Sequence, residues 1–161
     1  MSATIGSTIY TKLIGSSDIT GLVGTSPKRI YPEVAPLSMA NQFPYIVYNV
    51  VSENPTNTKG PSDPGDAVAT GPETERSPLD VVRVQVSCFT DDYSVCATLA
   101  QYIRAALDRG VGSGFSIGAG PTIDSIVYDG YHTLYEKDIK PQGVYHFAQD
   151  YIIRVINTVL I

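Results

Sequence analysis

The sequence predicts a single α+β domain over residues 1–161, in which two helices pack on one face of a mixed, mostly antiparallel sheet of about four strands. Two observations predict this class. Helical and strand periodicities occupy separate stretches of the chain, and the two strands on either side of a long loop are placed to pair antiparallel. A chain of this length buries roughly 70% of the surface that its unfolded form exposes, so it supports one core without disulfides or a metal.

The first predicted helix is marked by Ile5, Ile9 and Leu13, whose spacing of four gives one apolar face. Ser2 is placed to begin this helix, and Gly15 to end it.

A loop-rich stretch follows the first helix. Residues 18–24 predict a single extra turn, and Arg29 to Tyr31 predict a short strand between prolines. Residues 45–51 are β-branched or aromatic on both faces, which predicts a central strand covered on both sides.

The composition changes sharply from Asn54 to Pro78. This window holds five of the 11 prolines and almost no apolar side chains, so it cannot bury enough area to offset the entropy of ordering it. We expect a long mobile loop. Compact domains rarely keep such a connection without a use for it, and two interpretations stay open: a tolerated surface insertion, or a segment that orders against a partner.

The second half of the chain predicts three strands and the most regular helix. The helix is placed to begin at Thr90 or Asp92 and to end at Gly110, and two strands follow, at about 123–135 and 144–157. The strand that begins at Leu79 alternates between the apolar residues Val82, Val84, Val86 and Cys88 and the polar residues Arg83, Gln85 and Ser87. The last strand alternates between the apolar and aromatic residues Tyr145, Phe147, Tyr151, Ile153 and Val155 and the polar residues His146, Asp150 and Arg154. Both strands therefore have one apolar and one polar face.

Composition excludes several classes of protein. With 43% apolar and 17% charged residues the chain is not broadly disordered. Eleven Lys and Arg stand against 16 Asp and Glu, a net charge of −5, which argues against a groove that grips nucleic-acid phosphates. The chain lacks a secretory leader pattern and has no window of roughly 18–20 apolar residues, so we expect a protein of a cytosol-like compartment.

One segment matches the sequence motif that surrounds the nucleophile of serine hydrolases. Residues 114–118 read GxSxG, but a predicted helix precedes Ser116 and a strand follows it, the reverse of a nucleophile elbow. A serine hydrolase would also have to recruit His132 or His146 from the last two strands. The same glycine-rich run lacks the GxxxxGK[ST] pattern that cradles phosphates. A flexible turn between helix and strand is the favoured interpretation.

No cofactor or metal site is predicted. His132 and His146, the only histidines, lack the paired spacing of metal ligands, and the carboxylates of the long loop do not follow the calcium-loop spacing. Cys88 and Cys96 lack the CxxC spacing and are interpreted as buried thiols. Many of the 11 tyrosines are expected at strand edges or at a protein interface, where a polar tip on an aromatic body is useful.

A series of short signatures is more informative when taken in order. They are Leu22-Val23-Gly24, Arg29-Ile30-Tyr31-Pro32, Ala35-Pro36, Pro44-Tyr45-Ile46-Val47-Tyr48, Val82-Arg83-Val84-Gln85-Val86, Asp91-Asp92-Tyr93, and Phe147 with Asp150-Tyr151-Ile152-Ile153. In this order and spacing the chain resembles the tail terminator, or tail completion, proteins of long-tailed bacteriophages. The long loop departs from the compact versions of the family.

The resemblance implies a structural protein and no enzyme. It implies a hexameric ring on the head-proximal end of the tail tube in the virion, assembled in the host bacterial cytoplasm, which stops tube polymerisation and docks the DNA-filled head. The implied partners are further copies of the chain, the tail tube protein and the head-tail connector or stopper, with genomic DNA passing through the lumen unbound and no membrane. The alternatives are a connector adaptor or stopper and, more remotely, a small hydrolase using Ser116.

Two groups of polar residues are candidates for subunit or partner contacts, and the family resemblance supplies no catalytic or ligand positions. In the long loop, expected to order on the tube or the head connector, they are Lys59, Asp63, Asp66, Glu73, Glu75 and Arg76. On the polar strand faces, expected to contribute to the lumen or to subunit contacts, they are Arg83, Gln85, Ser87, His146, Asp150 and Arg154.

Overall fold

A computed structural model of the chain describes residues 2–39, 42–55, 79–108, 122–137 and 143–156. The elements are α1 (Ser2–Gly15), α2 (Ser17–Val23), β1 (Ile30–Pro32), β2 (Tyr45–Pro55), β3 (Leu79–Thr90), α3 (Tyr93–Leu107), β4 (Thr122–Glu136) and β5 (Val144–Ile156). Most of the predicted long loop, the GxSxG string and Gly110 lie outside the described residues.

The strands form one sheet in the order β1-β2-β3-β5-β4. β1 pairs parallel with β2, and all other pairs are antiparallel, including the predicted pair β2–β3. Within the described ranges the sheet has five strands rather than about four, because the short β1 joins it beside β2. Hydrogen bonds hold β1 at both ends: the Ile46 amide donates to the Arg29 carbonyl at 2.9 Å, and the Glu33 amide to the Tyr48 carbonyl at 2.9 Å. The predicted mixed, mostly antiparallel α+β fold is confirmed.

The core lies between the helices and one face of the sheet. The buried positions of β3 and β5 are paired across the strands, Val82 with Ile153 and Val84 with Tyr151, so the predicted alternation is confirmed. The helices complete the core with Ile5, Ile9, Leu13, Ile19, Val23, Leu99, Ile103 and Leu107, each at most 1% exposed. Cys88 and Cys96 are buried in the same cluster as free thiols, as predicted.

The predicted extra turn at 18–24 is wrong in extent, because residues 17–23 form a complete short helix. Ser16 caps α2 by accepting the Ile19 amide at 3.5 Å, and Gly24 ends it at φ 88°, where a side chain would be strained. Burial of Ile19 and Val23, at about 1.5–3 kcal/mol each, offsets the poor intrinsic stability of so short a helix. The described residues therefore form three helices, where the sequence predicted two.

The prediction that the strand at 45–51 is covered on both sides is also wrong for the described residues. Ile46 and Tyr48 are buried under the helices, but Tyr45, Val47 and Asn49, which point the other way, are only half-buried. We call the sheet face that points away from the helices the outer face. On this face Tyr45 and Val47 are half-buried because neighbours in the sheet flank them: the Tyr45 ring stacks on Phe89, and Val47 pairs with Tyr31.

Of the two predicted starts of α3, Asp92 is the N-cap; it accepts the Ser94 amide at 2.7 Å and the Val95 amide at 3.2 Å. The described helix ends at Leu107 with Asp108 as its C-cap, short of the predicted Gly110. Within the described ranges, no helix has the length and apolar content to cross a membrane.

Candidate interaction surfaces

The six strand residues predicted as candidates all lie on the outer face. Arg83, Gln85 and Ser87 alternate along β3, and His146, Asp150 and Arg154 alternate along the neighbouring β5; the register pairs Gln85 directly with Asp150. Arg83 and Arg154 are exposed, Gln85, His146 and Asp150 are half-buried, and Ser87 is only 6% exposed. The loop candidates Lys59, Asp63, Asp66, Glu73, Glu75 and Arg76 lie outside the described residues.

Hydrogen bonds and one ion pair organise the polar centre of the outer face. Gln85 donates through Nε2 to Asp150 Oδ1 at 3.1 Å, and Arg83 forms an ion pair with Asp129 of β4. The side chains of Arg83 and Asp129 are 47% and 35% exposed, so this pair contributes at most about 1 kcal/mol to stability. The pair fixes the direction of the guanidinium more than it stabilises the fold.

A row of aromatic rings crosses the outer face from β1 to β5. Ring centroids are 6.5 Å apart for Tyr31 and Tyr45, 4.8 Å for Tyr45 and Phe89, and 4.2 Å for Phe89 and His146. The last two contacts are stacked. Burial, and then the nearby His132, lower the pKa of His146, so this ring is neutral at pH 7 and stacks as an uncharged aromatic.

A second surface, which we call the tyrosine groove, lies on the helix side of the sheet between α3 and β4. It has a volume of about 250 Å³ and is lined by Tyr93, Tyr128, Tyr131, Phe147 and Arg104, among others. Tyr93 and Tyr131 are 58% and 64% exposed, and Phe147 forms the buried floor at 6%. The Arg104 guanidinium lies 4.1 Å from the Tyr128 ring centroid, a cation–π contact, and donates through Nε to Asp108 at 3.3 Å.

Strand alternation could not have revealed the tyrosine groove. Tyr128 and Tyr131 are three residues apart, so a regular strand would place them on opposite faces. The β4–β5 register shifts between Tyr128 and Gly130, and this bulge brings both tyrosines to the helix side, opposite Tyr151 and Gln149. The sequence signal was limited to the large number of tyrosines and the Asp129-Gly130 pair.

The described residues hold no group of three or more His, Cys, Asp or Glu side chains placed to bind a metal. The ring centroids of His132 and His146 are 6.3 Å apart, and their planes meet at 65°. The serine string is outside the described ranges. The prominent features of this part of the chain are therefore surfaces of aromatic, Arg and amide side chains, which are typical of protein contacts.

Such an α+β domain, with aromatic surfaces on both sides of its sheet, has the character of a structural subunit. A family model described as Tail completion protein gp17 matches residues 7–156, which takes in almost every helix and strand. The chain belongs to the tail completion protein family. It is a structural protein of the phage tail and not an enzyme, as the sequence predicted.

The fold is similar to that of a chain from a solved structure of the virion of a native gene transfer agent particle. The TM-score is 0.59 at 17% sequence identity, and the alignment covers 92% of both chains. A search of curated protein sequences gave no match.

Proposed function

We propose that the chain forms a hexameric ring on the head-proximal end of the tail tube, where it stops tube polymerisation and provides the docking surface for the DNA-filled head. The observation that carries this proposal is the family match over residues 7–156. On this proposal the protein acts in the virion after assembly in the host bacterial cytoplasm. Its partners are other copies of itself, the tail tube protein and the head-tail connector or stopper.

Two physical features support a ring through which DNA passes. A ring needs two different, complementary patches on each subunit, and the edges of this sheet differ: β1 has three residues and β4 has 15. The net charge of −5 keeps the lumen from adhering to phosphates, so genomic DNA passes without specific binding.

We infer that the outer face and the long loop supply contacts within the ring or to its neighbours. Charge reversal at Arg83 and Arg154 is expected to impair assembly while leaving the fold intact, because both side chains are exposed. Deletion of residues 56–75 is expected to preserve folding and to reduce head joining. Normal joining after this deletion would identify the loop as a tolerated insertion, and normal infectivity of both reversals would remove the outer face from the contacts.

The proposed function is tested by electron microscopy of a lysate from the parent phage or prophage with an early stop codon in this gene. We expect filled heads beside unattached tubes of uncontrolled length. Unattached tubes of uniform length would instead assign the protein to the neck, as a connector adaptor or stopper, and intact virions would exclude it from head-tail joining. A plasmid copy of the gene is the matched control and should restore joined particles.

A further inference from the structure

We propose that the tyrosine groove of one copy receives the segment Glu33–Met39 of the next copy in the ring. This inference rests on the proposed function, since it takes a second copy of the chain as the occupant of the groove. It assigns the two patches that meet, which neither the family match nor the similar fold specifies.

The segment after β1 presents the most exposed aliphatic side chains of the described chain. Leu37 is 94% exposed and Val34 is 74% exposed. Backbone hydrogen bonds constrain the segment near both ends: the Glu33 amide donates to the Tyr48 carbonyl at 2.9 Å, and the Met39 amide to the Pro36 carbonyl at 2.8 Å. Constraints that exist before binding reduce the entropy lost on binding, so an exposed leucine here is suited to act as an anchor.

The tyrosine groove has the composition of a site for such an anchor. Tyr93 and Tyr131 form exposed walls above the buried Phe147, and Gln149 at the base is held by its bond to the Ala100 carbonyl at 2.9 Å. Buried aromatic and aliphatic anchors in well-packed pockets supply most of the energy of protein interfaces, and tyrosine walls exclude water from them.

Charge complementarity fits the segment to the groove. Glu33 is the only charged residue of the segment 33–39, and it is exposed. Among the described residues that line the groove, Arg104 alone is charged, and its side chain is 53% exposed. An approach of Glu33 to Arg104 would orient the segment, while Leu37 supplies the apolar contact.

The two patches lie at opposite edges of the sheet. The segment follows β1, the groove adjoins β4, and five strands spaced by about 4.8 Å put these edges about 19 Å apart. A contact between them joins copies head to tail, which leaves one free patch at each end of every open oligomer. Such a heterologous contact closes into a ring when the rotation between copies divides a full turn.

The test uses the purified full chain, with oligomer mass measured by native mass spectrometry and light scattering. Leu37→Asp and Tyr131→Asp should each convert the wild-type oligomer to a folded monomer, with unchanged circular dichroism and cooperative thermal unfolding, because both side chains are exposed. Val51→Asp is the control: it alters another exposed apolar residue, 51% exposed against 64% for Tyr131, that belongs to neither patch, and it should keep the oligomer. An equimolar mixture of Leu37→Asp and Tyr131→Asp should give one-to-one dimers, because each variant retains the patch that the other lacks.

Oligomers of wild-type mass in either variant, or a mixture that stays monomeric, would overturn the contact. A wild-type chain that stays monomeric at high concentration would overturn it as well. Rings that form with Leu37→Asp but fail to join heads would assign the segment to the tube or connector protein instead. The lysate experiment with the early stop codon reports on tail termination independently, so a wrong contact and a wrong function give different results.

Discussion

At the scale of single residues, Gln149 is the polar group on which the packing of α3 against the sheet depends most directly. It lies in the core at 5% exposure, donates through Nε2 to the Ala100 carbonyl at 2.9 Å, and accepts from the Tyr151 hydroxyl through Oε1 at 3.0 Å. Tyr151 is 0% exposed, and burial raises the pKa of its hydroxyl above the ordinary value of 10.0. The hydroxyl is therefore a neutral donor with one partner, and the pair is sensitive to loss of either member.

We expect Gln149→Leu and Tyr151→Phe each to lower the free energy of unfolding by about 1–3 kcal/mol, because each leaves a buried polar atom without its partner. The double variant should lose less than the sum of the two, by about 1 kcal/mol or more, since it removes donor and acceptor together. Urea unfolding of the four proteins, with equal m-values, measures this coupling. Strictly additive losses would show that the two side chains act independently.

The alternation of residues in β5 predicted correctly that Tyr151 faces the core, because a strand with one covered face has a period of two. Gln149, which the sequence analysis did not single out, falls on the same face by this period, but no local pattern identifies Ala100 as its partner. That contact depends on how α3 crosses the sheet, a property of tertiary packing. The polar set Arg83, Gln85 and Asp150 was predictable for the same reason, whereas Asp129 as the partner of Arg83 was not.

At the scale of elements, α3 has the strongest local signals and β4 the weakest. The observed start of α3 agrees with the acidic N-cap in the sequence, because the Asp92 carboxylate accepts hydrogen bonds from both the Ser94 and the Val95 amides. In β4, two register shifts break the alternation, so a pattern of period two assigns part of this strand to the wrong face. The tyrosine groove is built on this irregular strand, and for that reason it emerges only from the structure.

The N-cap of α3 gives a prediction about pH. The Ser94 side chain, then the Val95 and Ser94 amides, lower the pKa of Asp92 from 3.8, so ionised Asp92 favours the folded state. This contribution is complete above the unfolded pKa and is lost as pH falls through the lower folded pKa. Asp92→Ala should lower the midpoint of thermal unfolding by a few degrees at pH 7, because two helix amides lose their acceptor.

Asp92→Asn is the matched control, since it keeps a side-chain oxygen as a cap but cannot ionise. At pH 7 the thermal midpoint of Asp92→Asn should lie between those of the wild type and Asp92→Ala. The difference in midpoint between the wild type and Asp92→Asn should decrease as the pH is lowered from about 5 to about 2. Differential scanning calorimetry across this range provides the measurement. A gap that is constant with pH would contradict the ionic contribution of Asp92.

At the scale of the whole molecule, the fold class was predictable because the long helices and most of the strands each had a consistent period. The surfaces, in contrast, depend on how the segments are arranged. The antiparallel pairing of β2 with β3 was predictable from the loop that connects them. The prediction that both faces of β2 are covered was wrong, because an apolar run does not reveal whether neighbouring strands or a second layer cover its side chains. The segment at Leu37 carries no periodicity at all; its importance comes from its position at the edge opposite β4.

The net charge gives the last prediction. At −5 the chain repels a polyanion, and a passage for DNA works only if the duplex is not held. We expect the purified protein to leave the fluorescence anisotropy of a labelled DNA duplex unchanged at about 50 mM salt, where sequence-independent binding is strong for proteins that contact phosphates. A basic DNA-binding protein of similar mass serves as the control. Binding that weakens steeply with salt would contradict this expectation and show that assembly gathers the basic side chains into a continuous surface.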